Sequence, residues 1–145
     1  MRNFLLAVLL VLTSGCFAAD SLNMSRIGYY DTEGVTRDIL PAYPYSFVAD
    51  AYSGLVILDV SNPANPTYGY VQDTPGEANS VFLYDTLLYV ADMSGGIRLY
   101  NVADPVSPVQ IARDTLYGTY TDAVARGRYA FCALGWSGFT AIDFS

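Results

Sequence analysis

Phe47-Val48-Ala49-Asp50-Ala51-Tyr52-Ser53-Gly54-Leu55-Val56-Ile57-Leu58-Asp59-Val60-Ser61-Asn62-Pro63 decides the fold, because the chain repeats it. At a shift of 42 residues it reads Tyr89-Val90-Ala91-Asp92-Met93-Ser94-Gly95-Gly96-Ile97-Arg98-Leu99-Tyr100-Asn101-Val102-Ala103-Asp104-Pro105. Residues 34–66 lie on 76–108 without a gap, pairing Gly34 with Gly76, Asp50 with Asp92, Gly54 with Gly96 and Pro63 with Pro105. A second shift of 42 brings Gly118, Phe131-Cys132-Ala133, Gly138 and Ala141-Ile142-Asp143-Phe144 into register, with Leu134 where the others carry Asp. Self-similarity at this period marks a stack of supersecondary units that bury their apolar faces on one another.

Within the clearest copy, residues 78–84, 87–92, 96–102 and 109–114 are short runs of aliphatic, aromatic and β-branched residues. Asp85-Thr86, Ser94-Gly95, Asp104-Pro105 and Pro75-Gly76 separate them with turn chemistry. Each repeat is therefore expected to hold four strands. Gly and Pro interrupt the chain too often for an amphipathic helix, so the expected class is all-β.

The motif Leu55-Val56-Ile57-Leu58-Asp59, preceded by Phe47-Val48-Ala49-Asp50 and Gly54 and followed by Val60-Ser61-Asn62-Pro63, resembles the LVIVD repeat. The second copy keeps it with Asn101 in place of Asp, and the third keeps Gly138 and Ile142-Asp143. The resemblance implies a β-propeller-like array of three four-stranded units, a partial propeller, in an envelope or secreted protein. It carries no catalytic signature. A compact threefold β fold, a trefoil or prism, is the alternative.

Strand counting sharpens the architecture. Residues 27–32 align with 69–74, so the expected order is one fourth strand, two complete units (about 34–75 and 76–117) and a three-strand unit (118–145). The strand at 27–32 is then the piece the last sheet lacks, as when both termini complete one propeller blade. Three blades are fewer than the usual four to eight. A homodimer completing a ring, or a truncated piece of a longer repeat protein with no independent function, would reconcile the count.

The N-terminus reads as an export leader. Arg2 precedes the apolar run Phe4–Leu12, which is too short to span a bilayer. Residues 1–15 are read as a lipoprotein-type signal ahead of an acylated Cys16, with cleavage after Ala18 (1–18) as the alternative and 16–25 as a linker. The chain is then tethered to the envelope through its lipid, at the outer membrane in a Gram-negative cell, or is secreted. Net charge is −7 and all seven cations are Arg, which argues against nucleic acid as a partner.

With no His among 145 residues, Ser-His-Asp and Cys-His systems and imidazole metal sites are excluded. Carboxylates recur at fixed repeat positions: Asp50 and Asp92; Asp59, Asn101 and Asp143; Asp31, Asp73 and Asp114. Recurrence assigns them to turns, and no Asp-x-Asp-x-Asp loop marks a metal. No cofactor is expected. Cys132 aligns with Val48 and Val90 and reads as a buried hydrophobe, while Arg126 and Arg128 flank Gly127 in a solvated turn. In propeller topology the second-to-third-strand turns share one end with the loops between units. That gathers Tyr52, Met93 and Trp136 with Glu33, Glu77 and Tyr117 into a candidate binding face for a protein or glycan at the cell surface. The resulting expectation is a non-catalytic interaction or scaffold protein; the enzymatic alternative is a carboxylate-dependent carbohydrate-active enzyme.

Overall fold

The computed structural model describes residues 25–116 and 118–145. Among these residues eleven strands form three antiparallel sheets in chain order. The first holds β1 (Asp38–Ala42), β2 (Tyr45–Ala49), β3 (Leu55–Asp59) and β4 (Thr67–Gln72). The second holds β5 (Ser80–Tyr84), β6 (Leu87–Ala91), β7 (Ile97–Asn101) and β8 (Val109–Asp114). The third holds β9 (Asp122–Arg126), β10 (Tyr129–Ala133) and β11 (Phe139–Asp143). The all-β array of repeated units expected from the 42-residue period, and propeller-like by the resemblance, is therefore present, with sheets of four, four and three strands.

Repetition extends to irregularities. In β4 the ladder with β3 shifts between Ile57 and Leu58, and in β8 the ladder with β7 shifts between Leu99 and Tyr100, which is the aligned position. Two-residue hairpins join the first and second strands of the later units, and Asp85 (φ 56) and Gly127 (φ 61) supply the left-handed backbone such turns need.

The sheets stack like pages joined at one edge. Phe47, Ala49, Leu55 and Ile57 of the first sheet pack against Val81, Leu88, Val90 and Tyr100 of the second. Tyr89, Ala91, Ile97 and Leu99, on the second sheet's other face, pack against Ala123, Ala130, Cys132 and Leu134 of the third. The middle sheet is covered on both sides, so successive residues of its central strands are buried, with Arg98 the one charged side chain among them. In β10 burial instead alternates along the strand, because among the described residues one face of the third sheet has no neighbour. That outward face is exposed, so the array does not close into a trefoil or prism.

The first strands of the three units line the joined edge. Ser80 Oγ lies 2.6 Å from Asp122 Oδ1 and 3.2 Å from Asp38 Oδ2. Val81 N–H donates to Asp38 Oδ2 at 3.0 Å and Asn79 Nδ2 to the Thr121 carbonyl at 2.7 Å. Polar groups thus register neighbouring sheets at this edge while apolar groups supply adhesion.

Residues 27–32 depart from the sequence expectation. They form no strand and do not join the third sheet. Instead Tyr30 packs on Val48, Val56 and Leu58 of the first sheet, and Gly28 lies against the carbonyl of Pro63. The segment relates to the first sheet as the end of β4 relates to the second: Thr32 donates to Asp50 as Thr74 donates to Asp92. It holds the position of a fourth strand whose sheet partners are not among the described residues, and an isolated extended segment has no ladder to pair with.

Among the described residues, three buried side-chain oxygens lack a hydrogen-bond partner: those of the Tyr89 and Tyr100 hydroxyls and Asp50 Oδ2. The Tyr89 hydroxyl is inaccessible and has no hydrogen-bond partner, although its ring packs edge-on against Phe144 at 5.8 Å. Tyr89→Phe keeps the ring and removes the orphan, so it is expected to raise stability by about 1 kcal/mol in urea unfolding.

Candidate functional site

The repeated aspartates organise the end of the sheets where the second-to-third-strand turns meet the loops between units. Ala51 and Ala78 exchange two backbone hydrogen bonds of 3.0 Å, and Met93 and Tyr120 exchange the same pair. Each turn is thereby tied to the loop that enters the next unit. Asp92 sits behind this junction, fully buried. Its Oδ1 accepts from Thr74 Oγ1 at 2.5 Å, and its Oδ2 accepts from Gly76 N–H at 3.1 Å and Arg98 Nε at 3.0 Å. Arg98 extends onward to Gln110 Oε1 at 3.0 Å.

Asp50, equally buried, occupies the aligned place in the first unit. Its Oδ1 accepts from Thr32 at 2.7 Å and Thr36 at 3.1 Å, but its Oδ2 has no partner among the described residues. Val56 stands where the second unit has Arg98. The third unit has Leu134 and Thr140 at these two positions, and Leu134 is buried among apolar neighbours. Three repeats thus carry three versions of one junction: a carboxylate lacking its cation, a complete ion pair, and an apolar plug.

Other repeated residues hold turns. Asp59 Oδ1 accepts from Ser61 N–H at 2.8 Å, and the Ser61 hydroxyl together with that amide lowers the Asp59 pKa; Asn101 Oδ1 accepts from Ala103 N–H at 2.9 Å. Asp31 and Asp114 accept from the amides two residues on, Glu33 and Leu116, at 3.1 and 3.0 Å. Asp143 departs from the pattern and pairs with Arg128 at 2.8 Å; that guanidinium also covers the Tyr129 ring. Arg126 is exposed beside it. Pro63 and Pro105 lie in the turns leading to the fourth strands. Gly54 and Gly96 have positive φ and touch the backbone of β4 and β8, whereas Gly138, equally positive, faces open space.

The expected binding face divides. Tyr52 and Glu33 wall one cavity of about 370 Å³ on the first sheet. Glu77 lies alongside Tyr52, and its hydrogen bond and negative charge raise the Tyr52 pKa, opposed by Arg37. Arg37 also pairs with Glu77 at 3.6 Å across partly exposed side chains, a contact of small energetic weight. Met93 is half-buried at its bridge to Tyr120. Trp136 stands fully exposed on the 3-10 turn Gly135–Ser137 and does not line that cavity. Tyr117 and Cys16 lie outside the described residues. Cys132 is buried, and desolvation with the charges of Asp114 and Asp122 pushes its thiol up to about 11, far from a reactive thiolate.

Sequence reading missed Arg98. Alignment of repeats draws attention to what recurs, and Arg98 is chemically informative because Val56 and Thr140 replace it. The lone cation inside an otherwise apolar strand was the available signal. The edge set Asp38, Ser80 and Asp122 was also missed, although its 42-residue recurrence was visible.

Among the described residues no helix is long and apolar enough to cross a membrane, and no group of three or more metal-type ligands converges. No curated protein and no solved structure matches the chain. The family model for the LVIVD repeat matches residues 33–74, 75–113 and 117–145, in step with the three sheets. By that match, which covers most of its length, the chain belongs to the LVIVD repeat family.

Proposed function

We propose that this chain is a non-catalytic interaction or scaffold protein, exported to the envelope or beyond, whose working form is a ring made by two copies. The observation that carries this reading is a pair of mismatched faces. Phe131 and Phe139 on the third sheet are 44% and 73% exposed, while their aligned counterparts Tyr89 and Ile97 are fully buried by the next sheet. The first sheet carries the complementary face, Val48, Val56 and Leu58, which among the described residues is covered by the segment around Tyr30 and by Val60. Seating the third sheet of one copy on the first sheet of another repeats the packing already used twice within the chain. Two such contacts give six blades, within the range in which propellers close. The leader supports an exported setting, the charge of −7 speaks against a nucleic-acid partner, and the exposed Trp136 offers a surface for a protein partner.

Native mass spectrometry or light scattering on the purified mature chain at micromolar concentration is expected to report a dimer. Phe139→Asp, at an exposed position of the single chain, is expected to give a folded monomer. A wild-type monomer, or an open-ended series of larger species, would remove the ring.

A further inference from the structure

We propose that the cavity on the first sheet binds a guanidinium group on an alkyl stem, the side chain of an arginine in a partner polypeptide. Arg98 in the second unit is the internal template. There a guanidinium lies against a buried aspartate, under the loop entering the unit, and reaches toward Gln110 on the fourth strand. In the first unit the same space is lined by Val56 at the position of Arg98 and Tyr68 at the position of Gln110. It is an open cavity of about 370 Å³.

The unsatisfied group is independent of that comparison. Asp50 is fully buried, yet its Oδ2 accepts nothing. This oxygen and the Ser53 hydroxyl crowd together over Gly34, and Ser53 belongs to the cavity wall. A buried carboxylate without a counter-charge attracts a cation into adjacent space, since the low dielectric weakens its field little. The mouth adds Asp31, Glu33 and Asp73, and the lining contains no cation. Tyr30, Tyr52 and Tyr68 provide ring faces on which a flat guanidinium stacks. An ammonium would satisfy the charge but not the planar stacking, so arginine is favoured over lysine.

Residues of one chain form every wall, but Val56 and Tyr30 also belong to the face on which the ring is seated, so ring closure competes with the ligand rather than supplying part of the site. Nα-acetyl-arginine amide titrated into the purified chain by calorimetry is expected to bind about tenfold or more tightly than its neutral citrulline analogue. Val56→Arg supplies the cation internally; it is expected to abolish probe binding and to raise the thermal midpoint. Asp50→Asn is expected to weaken the probe about tenfold without lowering that midpoint, and decides the matter if Val56→Arg fails to fold. The ring-breaking Phe139→Asp leaves the cavity uncovered and should bind the probe at least as tightly as the parent. Equal affinity for the arginine and citrulline compounds, or full binding by folded Val56→Arg, would overturn the proposal; so would loss of binding in Phe139→Asp.

Discussion

Arg98→Met is expected to cost about 3–5 kcal/mol, a large share of the stability of a domain this size. The substitution keeps the stem and removes the guanidinium, leaving Asp92 fully buried with only Thr74 and Gly76 as donors. The cost arises from the stranded carboxylate rather than from the pair itself, whose net contribution after desolvation is small. That distinction is measurable. Arg98→Met combined with Asp92→Leu and Thr74→Val, which removes every polar member at once, should recover most of the loss. The third unit supplies the precedent, since Leu134 fills this position among apolar neighbours. Urea unfolding of the single and triple variants gives both numbers. A triple variant as unstable as Arg98→Met would mean that the ion pair itself, and not the orphaned charge, holds the junction.

The same chemistry explains what was legible in the sequence. Strand positions in the second unit followed from apolar runs bounded by Gly, Pro and Asp, and Val109–Asp114 came out with the bounds the structure gives. The period carried over to the bulges, because loops of equal length with Pro at the same two positions, Pro63 and Pro66 against Pro105 and Pro108, set the same register. Two things did not follow. The place of residues 27–32 depends on which sheet is available to pair with them, a long-range condition that composition does not encode. Asp50 and Asp92 were read as turn residues, and they do sit beside turns, but their partners come from Thr residues 18 positions upstream and from Arg98. Tertiary hydrogen bonds of this kind are invisible to local pattern. The arginine cavity was half legible: Tyr52 and Glu33 were assigned to one face, but the unpartnered oxygen of Asp50 required coordinates.

Three aligned glycines test the missing strand. Gly54, Gly96 and Gly138 all have left-handed φ, at 76°, 92° and 86°, so an Ala at any of them carries about 1–3 kcal/mol of backbone strain. Surroundings then separate them. A Cβ at Gly54 would strike the Gln72 carbonyl and one at Gly96 the Asp114 carbonyl, both on fourth strands, whereas at Gly138 nothing lies within 4 Å. Displacing a paired strand adds about 1–3 kcal/mol. Gly54→Ala and Gly96→Ala are therefore expected to exceed Gly138→Ala by that amount when unfolding is followed on dilute, dissociated protein. In the two-copy ring the order changes. Residues 27–32 of the second copy would add to β11, placing the carbonyl of Tyr30 where Gln72 and Asp114 stand beside the other two glycines. Gly138→Ala should then weaken dimerisation about tenfold or more, since 1.4 kcal/mol corresponds to a factor of ten. Sedimentation of Gly138→Ala against the parent reads this directly. An unchanged dissociation constant would mean that the copies, if they associate, do so without adding a strand at β11.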